Sequence, residues 1–375
     1  MKRNKGGVAM EFIAAIFHFF ADFFNAFVKP LAPYFIDNLG IDNKTFASFM
    51  ALLGGVTSLF QVFFGAYFDN KKRDGLYITI IVLLEIFFVT FLGIVKSVLL
   101  FFMLVVIIRM LNSIFHPIGA SFAGKREEGK HVAIFSVAGT LGAGIAPLFI
   151  TSFQDLFGIE KLYILTVTMS VVLLILSRKI IGYEKKTVKK TLSFKGDILK
   201  LWPIFLVVAS RSFSMDIFHT YIPIYVNEIG KSLIVGGSIL TFGMMLGVFT
   251  NFFGTIVLEK TNDKITNAIG FFGMGIFGLL FVLVSDIYFK VFSFIIFDGF
   301  SFFTMSSNIV SAQKLLPNNK ALASSISMGF SWAVGILLSS GYAAVFGNNT
   351  MFMFLSASIM PIVTVIVYLI SLRRE

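Results

Sequence analysis

The chain has 375 residues, is 57% hydrophobic and only 14% charged, and carries a net charge of +11. Soluble domains are about a quarter charged, so this composition excludes a water-soluble globular protein and makes a bilayer the expected solvent. The absence of cysteine excludes disulfides and thiolate metal sites, and the basic excess reads as loop charge at a membrane surface rather than as a nucleic-acid footprint.

A membrane-crossing helix needs about 20 mostly apolar residues. Polar punctuation divides the chain into twelve such segments, near 11–36, 46–68, 76–95, 98–122, 132–153, 161–180, 199–226, 233–258, 266–286, 288–313, 322–346 and 350–371. The first follows a basic start, "MKRNK", but runs too long for a signal peptide and carries Glu11, His18 and Asp22, so it reads as an uncleaved span. The longest connection, "GYEKKTVKKTLSFKGDILK", is strongly basic and joins two halves, 1–181 and 199–375, through a linker at 182–198. With both termini in the cytoplasm, 23 of the 31 Lys and Arg residues fall on the inner side and five on the outer, with Lys29, Arg109 and Arg211 inside spans. That asymmetry supports an even number of spans in the cell (inner or plasma) membrane.

Shifting the sequence by 190 residues lays "PYFIDNLG" (33–40) over "PIYVNEIG" (223–230), Asp69 over Glu259, Lys130 over Lys320 and Gly139 over Gly329. One offset therefore relates six spans to the next six. The expected fold is an all-α membrane protein of 12 transmembrane helices in two parallel six-helix repeats, a plan characteristic of transporters that rock about a central site.

The duplicated plan resembles the major facilitator superfamily over nearly the whole chain. The stretch "GAYFDNKKRDG" between spans 2 and 3 is similar to that family's cytoplasmic signature, carried here by Gly65, Asp69, Lys71, Lys72 and Arg73. The resemblance implies that this loop latches one conformation. His18-Phe-Phe-Ala-Asp22 in span 1, "FHP" at Phe115-His116-Pro117 and the Gly139/Gly142/Pro147 spacing in span 5 resemble the fosmidomycin-resistance group of proton-driven exporters. In that fold, spans 1, 4, 7 and 10 line the central cavity.

Apart from Glu85, the charged residues well inside spans fall on those same four spans. Charge at mid-bilayer costs at least about 2.5 kcal/mol, so each such residue needs a reason. Glu11, Ala15, His18, Asp22, Asn25 and Lys29 step by three or four residues and share one helical face. Arg109, Asn112 and His116 do the same on span 4, while Arg211, Asp216 and His219 lie on span 7 and Asp298 on span 10. Asp22, with His18 beside it, is the expected proton-coupling pair; the competing role is a permanent Asp22–Arg109 ion pair. Arg109, His116, Asn112, Asn25, Arg211, Asp216, His219 and Asp298 form the expected substrate site, the arginines either clamping an anion or pairing internally with the aspartates. Two roles stay open for His116: a ligand on the Arg109 stripe, or a cap on a carbonyl freed by Pro117. Glu85, in span 3, lies off the expected cavity, and Lys29 reads as snorkelling from the end of span 1.

No H-E-x-x-H or G-x-S-x-G motif is present, so an enzyme is not expected. Four histidines without close pairing on any one helix give no metal expectation, and no cofactor is implied. The expected activity is proton-coupled export of a small amphiphilic or anionic solute by a monomer. The alternative is proton-coupled uptake of a sugar, organic acid or similar nutrient, and no nucleic-acid partner is expected.

Overall fold

A computed structural model describes residues 5–69, 71–123, 129–184, 198–317, 323–324 and 326–371. The described residues form helices and turns without a β-strand. Ten of the helices are long and apolar enough to cross a membrane, and Ser331–Phe346 is a shorter apolar one. Large apolar side chains such as Phe63, Phe249 and Phe252 are exposed on them, a surface that only lipid accommodates.

The chain folds into two compact units. Unit 1 comprises Met1–Val28 and Phe60–Leu192, and unit 2 comprises Lys29–Leu59 and Ser193–Glu375. Within unit 1, helix α1 (Lys5–Asn25) packs mainly on α6 (Gly129–Phe157), and also on α5 (Val98–Ala123) and α4 (Asp74–Thr90); α4 packs in turn on α7 (Leu162–Ser177). Within unit 2, α8 (Trp202–Glu228) is the most buried span. It contacts α2 (Ala32–Leu39), α9 (Leu233–Lys260), α13 (Ser331–Phe346) and α14 (Thr350–Ser371), while α9 and α10 (Asp263–Leu283) flank α11 (Ile287–Phe303). Helices α3 (Asn43–Asp69) and α12 (Met305–Leu315) complete the set used below.

The segment Lys29–Leu59 belongs to the first repeat by sequence but packs in unit 2, unlike the 1–181/199–375 division. The reason is a set of polar ties: Lys29 to Asp216, Asn43 to Glu228, Asn348 to Asp42, and Ser340 to the Ser48 carbonyl. Most of the 182–198 linker lies outside the described residues.

Two spans expected to be continuous are broken. Span 1 ends as α1 at Asn25, and the chain turns before α2. Pro30 has no amide to extend α1, whereas Pro33 stands in the first turn of α2, where no amide donor is required. Span 10 breaks at Thr304, between α11 and α12. There the Ser306 amide donates to Asn251 Oδ1 of α9 (2.9 Å), which satisfies a backbone donor at the break.

The 190-residue repeat is visible in the backbone. Gly40 after α2 and Gly230 after α8 both adopt left-handed φ, +63° and +72°. The same hydrogen bonds close both ends: Gly40 N to Asp37 O and Ile41 N to Ile36 O, then Gly230 N to Asn227 O and Lys231 N to Val226 O. Glycine is the residue that takes this conformation without steric cost.

Candidate functional site

His18, Asp22, Asn112 and His116 come together in unit 1, whereas the candidate residues of unit 2 make separate contacts. In unit 1 the i, i+4 spacing on α1 brings His18 against Asp22, with Nε2 3.1 Å from Oδ2. Helix α5 adds His116, whose Nε2 lies 3.3 Å from Asp22 Oδ1 and 3.0 Å from Asn112 Oδ1. Asn112 Nδ2 donates to Asp22 Oδ1 (3.2 Å), which fixes the orientation of that amide. The His116 contacts are thus to side chains, Asp22 and Asn112. Asp22 therefore meets two imidazoles and an amide. Arg109 stands seven residues before His116 on α5 and is partly buried.

Helix α6 sets the geometry of this group. His18 Nδ1 lies 2.7 Å from the Phe135 carbonyl, and the two rings stack with centroids 4.0 Å apart. A carbonyl only accepts, so Nδ1 donates and Nε2 is the atom presented to Asp22. Gly139 is required here, because a Cβ at that position would collide with the His18 ring and with Asp22 Oδ2. At Gly142 a Cβ would run into the Phe19 carbonyl, so α1 and α6 touch backbone to backbone.

Glu85 is the residue the sequence reading placed away from the cavity. It is fully buried on α4 and interacts electrostatically with Asp22 and with the Asn112 amide. The signal available in the sequence was a carboxyl inside a span whose neighbours are all apolar. Between α1 and α6 there is also an open apolar groove of about 540 Å³, with Phe12, Ile134 and Val137 of its lining exposed on the outer face of the helices.

In unit 2, Asp298 is fully buried on α11. Its Oδ1 lies 2.8 Å from His219 Nε2 and accepts from Ser301 Oγ at 3.1 Å, and its Oδ2 has no hydrogen-bond partner among the described residues. That oxygen faces Gly243 of α9, where a Cβ would stand 2.8 Å from it. Asp216 pairs with Lys29 (2.5 Å) and accepts from Ser339 Oγ (2.6 Å), so Lys29 is an ion-pair partner rather than a snorkelling end group. Arg211 is 3% exposed and stands 5.5 Å from the centre of the Trp332 ring. Its Nε and Nη1 have no hydrogen-bond partner among the described residues. Asn25, at the end of α1, keeps its buried Oδ1 unpaired among the described residues.

Of the residues expected from the sequence to form a latch, Gly65 sits against Pro117 across α3 and α5, where a Cβ would make ordinary 3.5 Å contact. Lys71 lies over the Tyr67 ring at 4.5 Å, and Arg73 pairs with Glu184 at 3.2 Å with both side chains more than half exposed. Such an exposed pair contributes about 0–1 kcal/mol. Lys72 is exposed, and the Asp69 side chain lies outside the described residues. Beyond the end of α7, burial first, and then the Asp74 and Glu11 carboxylates, push the Tyr183 hydroxyl up from its ordinary pKa.

The profile of the Major Facilitator Superfamily matches residues 14–340. Solved structures share the fold. A POT family transporter in complex with a thioalcohol-conjugated peptide superposes with a TM-score of 0.79 at 14% identity, covering 99% of this chain and 96% of that one. The nucleoside transporter NupG (D323A mutant) gives 0.76 at 12% identity, covering 96% and 99%. A bacterial homologue of the human lysosomal transporter Spinster, inward-facing and occupied, gives 0.74 at 10% identity, covering 99% and 97%. No curated protein sequence matches the chain significantly.

Proposed function

The chain belongs to the Major Facilitator Superfamily and is a secondary transporter of that type, and from that premise we propose that it exports a small amphiphilic or anionic solute in exchange for protons. The observation that carries the reading is the His219–Asp298 pair. An isolated ionised carboxylate is too costly to bury. A carboxyl with one oxygen on an imidazole and the other unpaired is neutralised by a single proton, wherever on the pair that proton sits. We assign the coupling proton to this pair rather than to His18 and Asp22, because Asp22 already meets two imidazoles and an amide.

The solute reading rests on Arg211, a buried guanidinium whose Nε and Nη1 have no hydrogen-bond partner among the described residues, beside an aromatic wall at Trp332; it suits a carboxylate or phosphonate oxygen. That residue, with the Phe115-His116-Pro117 resemblance, favours export of the fosmidomycin-resistance kind over uptake of a sugar or organic acid.

Purified protein is screened by thermal shift against fosmidomycin, organic acids and sugars, with Arg211→Gln as the control. The expected hit is an anionic compound whose shift disappears in R211Q. That compound is then loaded into proteoliposomes under an imposed pH gradient. Asp298→Asn should lose gradient-driven accumulation while keeping exchange down the solute gradient. Undiminished pumping by D298N would falsify the assignment.

A further inference from the structure

We infer that His18, Asp22 and His116 form a binding site for a divalent transition-metal ion of the zinc class, held by two imidazole Nε2 atoms and one carboxylate. The three ligand atoms lie within 4.8 Å of one another. His18 Nε2 lies 3.1 Å from Asp22 Oδ2 and His116 Nε2 3.3 Å from Asp22 Oδ1, so each imidazole meets its own oxygen of the carboxylate at about the 3.3 Å spacing of donor atoms around a tetrahedral ion with bonds of about 2.0–2.1 Å. His116 Nε2 also donates to Asn112 Oδ1, a hydrogen bond that it exchanges for the ion on binding.

The state of His18 is the strongest pointer to a cation. Its Nδ1–H is committed to the Phe135 carbonyl, so in the neutral ring Nε2 carries the lone pair. The side chain is 8% exposed, and Nε2 makes no hydrogen bond although a carboxylate oxygen stands 3.1 Å away. A lone pair aimed at a carboxylate is repulsive until a proton or a metal ion lies between them, and the two compete for the same position. Donation of the other ring nitrogen to a backbone carbonyl is also the support that metal-binding histidines use to fix tautomer and direction. Phe135 supplies both that carbonyl and a stacked ring, and Gly139 leaves the space.

Charge points the same way. Glu85 adds a second buried carboxyl within electrostatic reach of Asp22. Two imidazole nitrogens with one carboxylate suit zinc-class ions; magnesium and calcium prefer all-oxygen shells. Three protein ligands leave a fourth position for water or for an anionic oxygen of the solute. The inference goes beyond the proton-coupled reading and does not depend on it.

The test uses the full chain, purified in detergent with its affinity tag removed. Bound zinc is measured by elemental analysis after dialysis, and affinity by competition with a zinc dye; cobalt absorption reports the ligand field. The expected result is roughly one zinc per chain with a four-coordinate cobalt spectrum. Binding should weaken by roughly 10- to 100-fold or more in His116→Gln and Asp22→Asn, since loss of even an outer-shell partner costs that much. His18→Gln should behave alike, and the other two variants carry the test if H18Q fails to fold. His219→Gln and D298N should keep the metal. Wild-type protein that binds no zinc above the detergent blank, or zinc retained by both H116Q and D22N, overturns the inference. Because D298N reports pumping and D22N reports zinc, failure of either reading is seen separately.

Discussion

At the scale of single residues, Asp42 shows how a short polar side chain orders the start of a long apolar helix. It stands immediately before α3, accepts the Thr45 amide at 2.8 Å through Oδ1 and the Asn348 amide group at 2.9 Å through Oδ2. The Thr45 hydroxyl and Asn348, then the Thr45 amide, hold its pKa down at about 2. A carboxyl depressed on folding stabilises the native state above its unfolded pKa, near 3.9. That contribution fades as pH falls from about 4 towards 2. Asp42→Ala should cost roughly 0.5–2 kcal/mol, the usual range for a lost helix cap. It should also flatten the dependence of the melting temperature on pH in that interval. Thermal unfolding of both proteins in detergent at neutral and acidic pH measures it; an unchanged acid limb in D42A would show that the cap is not the titrating group. Residue-scale legibility is uneven in the same way. The His18–Asp22 contact follows from i, i+4 spacing on one helix, but the approach of His116 and Glu85 is made by tertiary packing of α4 and α5, which no local spacing encodes.

At the scale of helices, the repeat predicted from "PYFIDNLG" and "PIYVNEIG" becomes two matching helix ends with left-handed Gly40 and Gly230. A Cβ in that conformation costs about 1–2 kcal/mol, so Gly230→Ala should destabilise unit 2 by roughly that amount although nothing lies within 4 Å of the added atom. Gly341 supplies the contrast. It lies within α13, exposed, with nothing within 4 Å of a Cβ, so Gly341→Ala should raise stability by up to about 1 kcal/mol. Opposite shifts in detergent melting are expected, and equal shifts would mean that backbone conformation is not what separates them. The end of α1 near Pro30 was readable as a breaker signal, yet the hydropathy of 11–36 hid it. The Thr304 break could not be read, since neither proline nor glycine marks it and its stabilising partner, Asn251, comes from α9.

At the scale of the whole chain, duplication in sequence and partition in space do not coincide. Residues Lys29–Leu59 follow the first repeat's sequence but pack within unit 2, and the Lys29–Asp216 pair is the ion pair among the polar ties named above. The two side chains are 21% and 10% exposed, and Ser339 satisfies the remaining carboxylate oxygen. Breaking a buried pair from one side leaves a charge without a counter-ion and costs about 3–5 kcal/mol, whereas apolar replacement of both partners is often neutral; partial exposure puts Lys29 at the lower end. Lys29→Met alone and Asp216→Leu alone should therefore each destabilise the purified protein more than the double variant does. Chemical or thermal unfolding of the four proteins gives the coupling directly. If the double variant loses as much as the two singles added together, the pair is not a unit. The attachment of 29–59 to unit 2 would then rest on the Asn43–Glu228, Asn348–Asp42 and Ser340–Ser48 contacts instead.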